Sequence, residues 1–253
     1  MGMFPIADDN SDRTLTPVVN YLLLAANIAV FVLLQGMGTN DRFTYAFSTV
    51  PMEIVTGKDV VTPAHRVVDP VSGQTFVQPG LQATPVSVYL TLLVSMFMHG
   101  GLAHLAGNML YLWIFGDNIE DRLGHQRYLA FYLVCGVLAS LAHVFTTVAT
   151  GGNTLVPSLG ASGAISGVLG AYMLLFPGRR VRMLMGLRTV EMPAWISIGM
   201  WFLFQLVAGM GLLGSGAQAG GVAYAAHVGG FIAGLFLVGM FDTGRTRRVR
   251  RRG

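Results

Sequence analysis

Six long apolar stretches, none of which contains Asp, Glu, Lys or Arg, constrain this chain more than any other feature of its sequence. A helix needs roughly 20 apolar residues to cross the hydrocarbon core of a bilayer, whereas a membrane β-barrel shows short alternating strands. The pattern therefore predicts an all-α membrane protein with six transmembrane helices. The stretches are residues 17–35, 101–116, 128–149, 158–176, 193–213 and 222–241.

The composition also indicates that the protein is surrounded by lipid. Hydrophobic residues make up 53% of the 253 residues, and charged residues make up only 11%. A soluble domain is about a quarter charged. So few charges cannot cover a water-facing surface of this size, but they suffice if lipid covers most of the surface.

The segments between the stretches are assigned by length and polarity. Residues 36–85 predict one long outer loop, and the apolar segment 86–98 is too short to span, so a re-entrant or interfacial position is expected. The stretch 101–116 is short, so its helix is expected to extend into the residues on either side. The predicted units are a cytoplasmic N-terminal segment (1–16), a membrane domain (17–241) and a basic cytoplasmic tail (242–253).

The basic residues are distributed unevenly around the stretches. Thirteen of the 16 Lys and Arg residues lie in 1–16, 117–127, 177–192 and 242–253, which share one side if the stretches cross alternately. Because basic residues next to a span stay on the cytoplasmic side, we expect both termini inside. The arginine-rich tail alone could indicate nucleic-acid binding, but beside a span a cytoplasmic anchor explains it better, so no nucleic-acid partner is expected.

Four polar residues fall at one predicted depth. On this topology the second, fourth and sixth helices all begin at the outer side, and they carry His104 and Asn108, Ser162, and His227 respectively. At 1.5 Å per residue these residues lie roughly 5–10 Å below the outer surface. Polar groups inside a membrane are candidates for function, and three helices bring these four to one level.

These side chains suffice for acyl transfer. The neutral imidazole of His227 can take the proton of the Ser162 hydroxyl and make it a nucleophile. His104 and Asn108 are four residues apart and share a helix face, so both can donate hydrogen bonds to the oxyanion of a tetrahedral intermediate. The alternative is that Ser162 is only a small residue in a helix contact and that His104 is a structural polar group.

Glycines surround the candidate nucleophile. Gly160 and Gly163 flank Ser162 and would let a substrate backbone approach it closely. Gly230 and Gly234 form a G-x-x-x-G pair, which is typical of close helix packing in membranes. We expect these four glycines to press the fourth helix against the sixth and to set the distance between the serine and the histidine.

Three motifs resemble the signature motifs of rhomboid proteases. They are G-x-S-G at 160–163, H-x-x-x-N at 104–108 and AHVGGFIAG at 226–234. The stretch GNMLYLWIFGDNIEDRLG at 107–124 is also similar to many bacterial members. The resemblance covers about residues 95–240, with the motifs in the right order and on the right stretches.

This resemblance implies a six-helix rhomboid bundle that acts as an intramembrane serine endopeptidase. Ser162 would be the nucleophile and His227 the general base and acid, while His104 and Asn108 would stabilise the oxyanion. It implies no cofactor, a multi-pass location in a cell membrane (inner or plasma), and lipid as surroundings. No metal is expected either, because no histidine pair shows the H-E-x-x-H spacing of a zinc protease and no carboxylate lies in the apolar stretches. The substrates would be membrane proteins whose transmembrane segments unwind locally.

The chain departs from the family pattern at two places. Many members carry Trp-Arg before the second helix, where this chain has Tyr89-Leu90-Thr91-Leu92. Some carry an aromatic residue four positions after the nucleophile, beneath the histidine ring, where this chain has Ser166. The second departure leaves open what orients His227.

The remaining polar residues give weaker signals. His99 could bind substrate or anchor a loop, His143 is expected to be structural, and Gln205 predicts an interhelical hydrogen bond or a part in a substrate gate. The Gly-rich residues 214–221 could form a lid over the site. Two rival functions remain: a catalytically dead relative that routes membrane proteins, and a transporter, which would show inverted repeats.

Overall fold

The computed structural model describes residues 3–68, 73–210 and 224–242. The strands are β1 (Met3–Asp8), β2 (His65–Val68), β3 (Thr75–Gln78), β4 (Arg180–Met185) and β5 (Arg188–Pro193). The helices are α1 (Val18–Ala29), α2 (Asp41–Phe47), α3 (Pro51–Thr56), α4 (Thr91–Val94), α5 (Leu102–Leu123), α6 (His125–Ala149), α7 (Ser162–Leu175), α8 (Ala194–Gly209) and α9 (Tyr224–Phe241). The predicted lid and the arginine-rich end of the tail lie outside the described residues.

Helices occupy all six apolar stretches. Among the described residues, α6 and α9 are long and apolar enough to cross a membrane, and a third span results if the bent pair Val88–Phe97 and α5 counts as one. Val18–Leu34, α7 and α8 are shorter apolar helices. The protein is therefore predominantly helical, while the count of six spans and the cytoplasmic position of both termini stay predictions.

The apolar segment before α5 is a series of short turns. Two 3₁₀ turns flank α4, and the segment Val88–Phe97 meets α5 at an angle of 78°. This geometry is compatible with the expected re-entrant or interfacial position. As expected, α5 outgrows its apolar stretch, but it gains residues only at its C-terminal end, where it continues to Leu123.

Helix α7 lies at the centre of the bundle, in contact with α5, α6 and α9. All residues from Gly163 to Tyr172 are buried, and many of them are Gly, Ala or Ser. Small side chains let backbones approach closely where no water is available to drive packing. The first residue of this central helix is Ser162.

The expectation of an all-α protein needs correction, because the described residues include two small antiparallel sheets. Strands β1, β4 and β5 form one sheet, and β2 pairs with β3 within the segment 36–85, which also holds α2 and α3. The sequence of β4 explains why it forms a strand: buried Val181 and Met183 alternate with exposed Arg180 and Arg182. This period of two residues is that of a β-strand with one buried face. A two-residue turn with Gly186 at φ +63° closes β4 onto β5.

The end of α5 is buried and polar, and it lies in the segment 117–127 that the sequence analysis placed between two spans. The Glu120 carboxylate accepts hydrogen bonds from the backbone N–H groups of Val19 (2.9 Å) and Asn20 (2.7 Å). An anion there satisfies the open donors at the start of α1. Arg122 makes a two-pronged ion pair with Asp242, at 2.7 and 2.8 Å, and ties the end of α5 to the end of α9.

The last residue of β1, Asp8, places its carboxylate at the same end of the molecule. Asp8 accepts hydrogen bonds from the Tyr172 hydroxyl (2.5 Å) and the Asn118 amide (2.8 Å). Burial raises the pKa of the Asp8 carboxyl to about 6. The N-terminal segment is thus built into the fold, since it contacts both α5 and α7.

Candidate functional site

Ser162 and His227 meet where α7 and α9 pack together. The Ser162 Oγ lies 2.8 Å from His227 Nε2, within hydrogen-bond distance. A Cβ added at Gly230 would overlap the carbonyl oxygen of Gly163, so the two helix backbones are nearly in contact one turn from the pair. Glycine at position 230 permits this contact with α7, and glycine at position 163 permits close packing against Ala139 of α6.

The second ring nitrogen of His227 is engaged by α8. His227 Nδ1 lies 2.7 Å from the amide oxygen of Gln205, which confirms the interhelical hydrogen bond predicted for this residue. Trp201, one turn earlier on α8, places its ring 6.0 Å from the imidazole. Sequence analysis could not identify the partner of Gln205, because the two residues lie on different helices and are 22 positions apart in the chain.

His104 lies on the opposite side of the serine, at the start of α5. Its Nδ1 accepts a hydrogen bond from the Gly100 backbone N–H at 3.3 Å. Because that nitrogen is an acceptor, the proton of a neutral ring sits on Nε2. The point where a Cβ of Gly160 would lie is 3.0 Å from His104 Nε2 and 3.8 Å from Ser162 Oγ. The Nε2 donor and the Ser162 hydroxyl therefore both lie close to Gly160.

Asn108 follows His104 by one turn of α5. Its side chain is 8% exposed, and its Nδ2 has no hydrogen-bond partner among the described residues. The backbone N–H groups in the first turn of α7 also lack intrahelical acceptors. The side chains of His104 and Asn108 and the first turn of α7, which begins at Ser162, thus supply three kinds of donor to one cavity.

All four predicted residues line one cavity of about 810 Å³. Its wall also includes Gly100, Gly101, Leu159 and Trp201. The volume is in the range of known ligand sites. The cavity thus combines an activatable hydroxyl, an imidazole acceptor and several N–H donors in a largely apolar wall, which is an arrangement suited to acyl transfer.

The glycines divide into two sets. Gly163 and Gly230 contact each other across α7 and α9, and a Cβ at Gly234 would overlap the backbone of Gly167, a residue that the sequence analysis did not single out. Gly160 is not part of this helix contact. It precedes α7 with φ +125°, a conformation that favours glycine, and a Cβ there would press on the His104 ring at 2.9 Å.

The other polar candidates lie at the edge of the site. The His99 ring packs edge-on against His104 at 5.2 Å, and its backbone is held by the Gln35 side chain through bonds of 2.8 and 2.9 Å. This supports a loop-anchoring position for His99, with Gln35 as an anchor that the sequence did not reveal. The Ser166 hydroxyl donates to the carbonyl of Ser162, one turn earlier on α7, at 2.6 Å.

The absence of a bound metal stays a prediction from the sequence. Within the described ranges, no three His, Cys, Asp or Glu side chains lie close enough to hold a metal ion.

The fold and the cavity define a helical protein of the membrane type with a serine–histidine pair between two tightly packed helices. A family model described as "Rhomboid domain" matches residues 87–242, which is more than half of the chain. The chain belongs to the rhomboid family, as its motifs indicated.

Three similar proteins illustrate the breadth of the match. Rhomboid protein 1, mitochondrial, of Saccharomyces cerevisiae is 30% identical over 172 residues, which cover 68% of this chain and 47% of that protein. Rhomboid protease GluP of Bacillus subtilis is 29% identical over 223 residues, 87% of this chain and 34% of that protein. Presenilin-associated rhomboid-like protein, mitochondrial, of Homo sapiens is 37% identical over 113 residues, 41% of this chain and 29% of that protein.

The chain spans less than half the length of each of these three relatives. Two of the three are named mitochondrial and one is bacterial, so they support a membrane-protein family without favouring the plasma membrane. The boundaries of the predicted membrane domain stay a prediction, since the family match begins at residue 87 rather than at residue 17.

Proposed function

We propose that this protein is an intramembrane serine endopeptidase that hydrolyses peptide bonds in or near the transmembrane segments of other membrane proteins. One observation carries the proposal: the Ser162 hydroxyl lies 2.8 Å from His227 Nε2 at the wall of a cavity that also holds His104 and Asn108. A small residue in a mere helix contact would need neither the histidine nor the cavity.

The first half of the reaction forms an ester. His227 Nε2 takes the Ser162 proton while Oγ bonds to the substrate carbonyl carbon, and the carbonyl π electrons move to its oxygen. Donors from His104 Nε2 and Asn108 Nδ2 then stabilise the oxyanion. As the intermediate collapses, the C–N bond breaks, the leaving nitrogen takes the proton from His227, and an acyl-Ser162 ester remains.

Water completes the cycle by the same groups. His227 removes a proton from water as its oxygen attacks the ester carbon, and the same donors stabilise the second oxyanion. The C–O bond to Ser162 then breaks, and Oγ recovers the proton from His227. The apolar stretches contain no Asp or Glu, so the proposed machinery is a dyad without an acidic member.

The surroundings suggest the substrate class. A helical peptide bond is shielded by its own hydrogen bonds and backbone, so the reactive segment must unwind before it reaches Ser162. We therefore expect transmembrane segments with helix-destabilising residues as substrates. Helix α8 is the expected gate, and residues 214–221, outside the described ranges, are the expected lid.

We further propose a six-span, multi-pass protein with both termini in the cytoplasm and the cavity opening toward the outer face. Water then reaches Ser162 from outside. The identity of the membrane stays a prediction that expression in a host with separable inner and outer membranes, followed by fractionation, would test.

The dyad is tested by substitution. Ser162→Ala and His227→Ala should each abolish cleavage of a model membrane substrate in liposomes, and the double variant should be no worse than either, because nucleophile and base act in one step. A fluorophosphonate should label the wild type and not Ser162→Ala. Cleavage that persists in Ser162→Ala, or that EDTA removes from the wild type, would refute the serine mechanism.

A further inference from the structure

We propose that Gln205 is the positioning residue of this site: its amide oxygen holds His227 in the tautomer and orientation that can accept the Ser162 proton. The inference rests on the proposed function and adds to it a residue from α8. It answers the question that Ser166 raises, namely what orients His227 when the family's aromatic residue is missing.

The hydrogen bonds at the two ring nitrogens determine the tautomer. The Gln205 Oε1, which can only accept, lies 2.7 Å from His227 Nδ1, so Nδ1 carries the proton. A neutral imidazole then has a free lone pair on Nε2, and that nitrogen faces the Ser162 hydroxyl at 2.8 Å. If Nδ1 were instead the free nitrogen, Nε2 would carry a proton and could not take another from the serine.

The residues around the ring leave this task to Gln205. The Ser166 hydroxyl donates its proton to the carbonyl of Ser162 rather than to the histidine. The Trp201 and Tyr224 rings lie 6.0 and 6.4 Å from the imidazole and pack on it. Trp201 and Gln205 are four residues apart on one face of α8, so one helix supplies both the packing surface and the hydrogen-bond acceptor.

An amide suits this position better than a carboxylate. Gln205 is 6% exposed, on an apolar helix, and an ionised side chain in such surroundings is expensive. The neutral amide sets the tautomer without burying a charge. The hydrogen bond also strengthens when His227 becomes positively charged during proton transfer, because charge-assisted bonds are stronger. Gln205 therefore stabilises the step as well as the resting geometry.

Two substitutions separate positioning from packing. Gln205→Met keeps the length of the side chain and removes the acceptor, so kcat should fall about 10- to 100-fold with little change in KM; this is less than the contribution of a whole general base. Gln205→Glu keeps an acceptor and should retain far more activity than Gln205→Met. The control is Leu203→Met, on the exposed side of α8, which should behave as the wild type.

The pH profile gives a readout that a structural role would not move. The titratable groups facing His227 are His104 from α5, His143 from α6 and Tyr224 on its own helix, and α8 itself carries none. A carboxylate introduced by Gln205→Glu would favour the imidazolium, which is inactive as a base. The acidic limb of the kcat/KM profile should therefore move to higher pH by about one unit or more.

The outcomes decide between the inferences. Wild-type kcat in Gln205→Met, or an unshifted acidic limb in Gln205→Glu, overturns the positioning role. If Gln205→Met fails to fold in detergent, Gln205→Glu decides alone: an active enzyme with a shifted limb supports the role, and an inactive or unshifted one overturns it. Cleavage that survives Ser162→Ala would instead overturn the proposed function itself, whatever Gln205 does.

Discussion

At the scale of single residues, Asn108 combines a buried, unpaired donor with a position at the wall of the candidate site. Its Nδ2 donates to no acceptor among the described residues, and leaving a buried donor unpaired costs about 1–3 kcal/mol. The amide lines the cavity that holds Ser162. A donor that waits for an oxyanion has this property, because its hydrogen bond forms only during the reaction.

We expect Asn108→Ala to lower turnover by about 10- to 1000-fold, the range for loss of one oxyanion donor. The same change should leave the thermal unfolding temperature in detergent unchanged or higher, because it removes an unpaired buried group rather than a contact. Cleavage rates and unfolding curves of the purified variant measure both effects.

Asn20 supplies the matched control. It is also a buried asparagine, but its amide donates to Leu112 O at 3.0 Å and accepts from the Tyr128 hydroxyl at 2.7 Å. Asn20→Ala should therefore lower the free energy of unfolding by about 1–3 kcal/mol and leave kcat of the folded enzyme intact. If Asn108→Ala instead loses stability and keeps its kcat, Asn108 is a structural residue.

At the scale of elements, the contact between α7 and α9 sets the geometry of the dyad. Cβ atoms at Gly230 and Gly234 would overlap the backbones of Gly163 and Gly167. Two helices in backbone contact at two successive turns have little freedom to rotate against each other. The 2.8 Å separation of Ser162 and His227 therefore depends on glycines at positions 230 and 234, where a larger side chain would push the helices apart.

We expect Gly230→Ala to destabilise the protein by about 1–3 kcal/mol through overpacking and to reduce activity, since α9 must shift away from Ser162. Gly239→Ala, on the same helix with nothing within 4 Å of the added Cβ, should be neutral or stabilising, because Ala favours helix over Gly. Unfolding curves and labelling by a fluorophosphonate measure the pair. Equal behaviour of the two variants would show that close packing does not set the dyad.

The elements that sequence analysis predicted are those with local signals. Apolar stretches gave the helices, and glycine spacing gave the face of α9 that meets α7. The partners across the chain had no such signal: β1 pairs with β4 far away in sequence, Glu120 binds the start of α1, and Gln205 finds His227. Each of these depends on tertiary proximity, which periodicity within one segment does not encode.

At the scale of the whole molecule, the arginine-rich surface and the candidate site lie at opposite ends of α5. His104 is near its first turn and Arg122 near its last, roughly 27 Å apart along the helix. The end with Arg122 also holds the sheet of β1, β4 and β5 and the N-terminal segment. Seven arginines cluster at that end among the described residues: Arg13, Arg122, Arg127, Arg179, Arg180, Arg182 and Arg188. The other three basic residues among the described ones, Arg42, Lys58 and Arg66, lie in the segment 36–85.

This asymmetry leads to a topology test that uses the single cysteine. Cys135 is buried, so it can be replaced by Ala, and new cysteines can be placed at Leu155, between α6 and α7, and at Leu187, in the β4–β5 turn, both of which are exposed. Because basic residues stay inside, a membrane-impermeant maleimide should label Leu155→Cys in intact cells and Leu187→Cys only after permeabilisation. The reverse pattern would place the arginine-rich end outside, and it would refute the cytoplasmic position of that end and the opening of the cavity toward the outer face. Labelling of both cysteines from the same side would show that α7, which lies between them, does not cross the membrane, and it would refute the six-span arrangement.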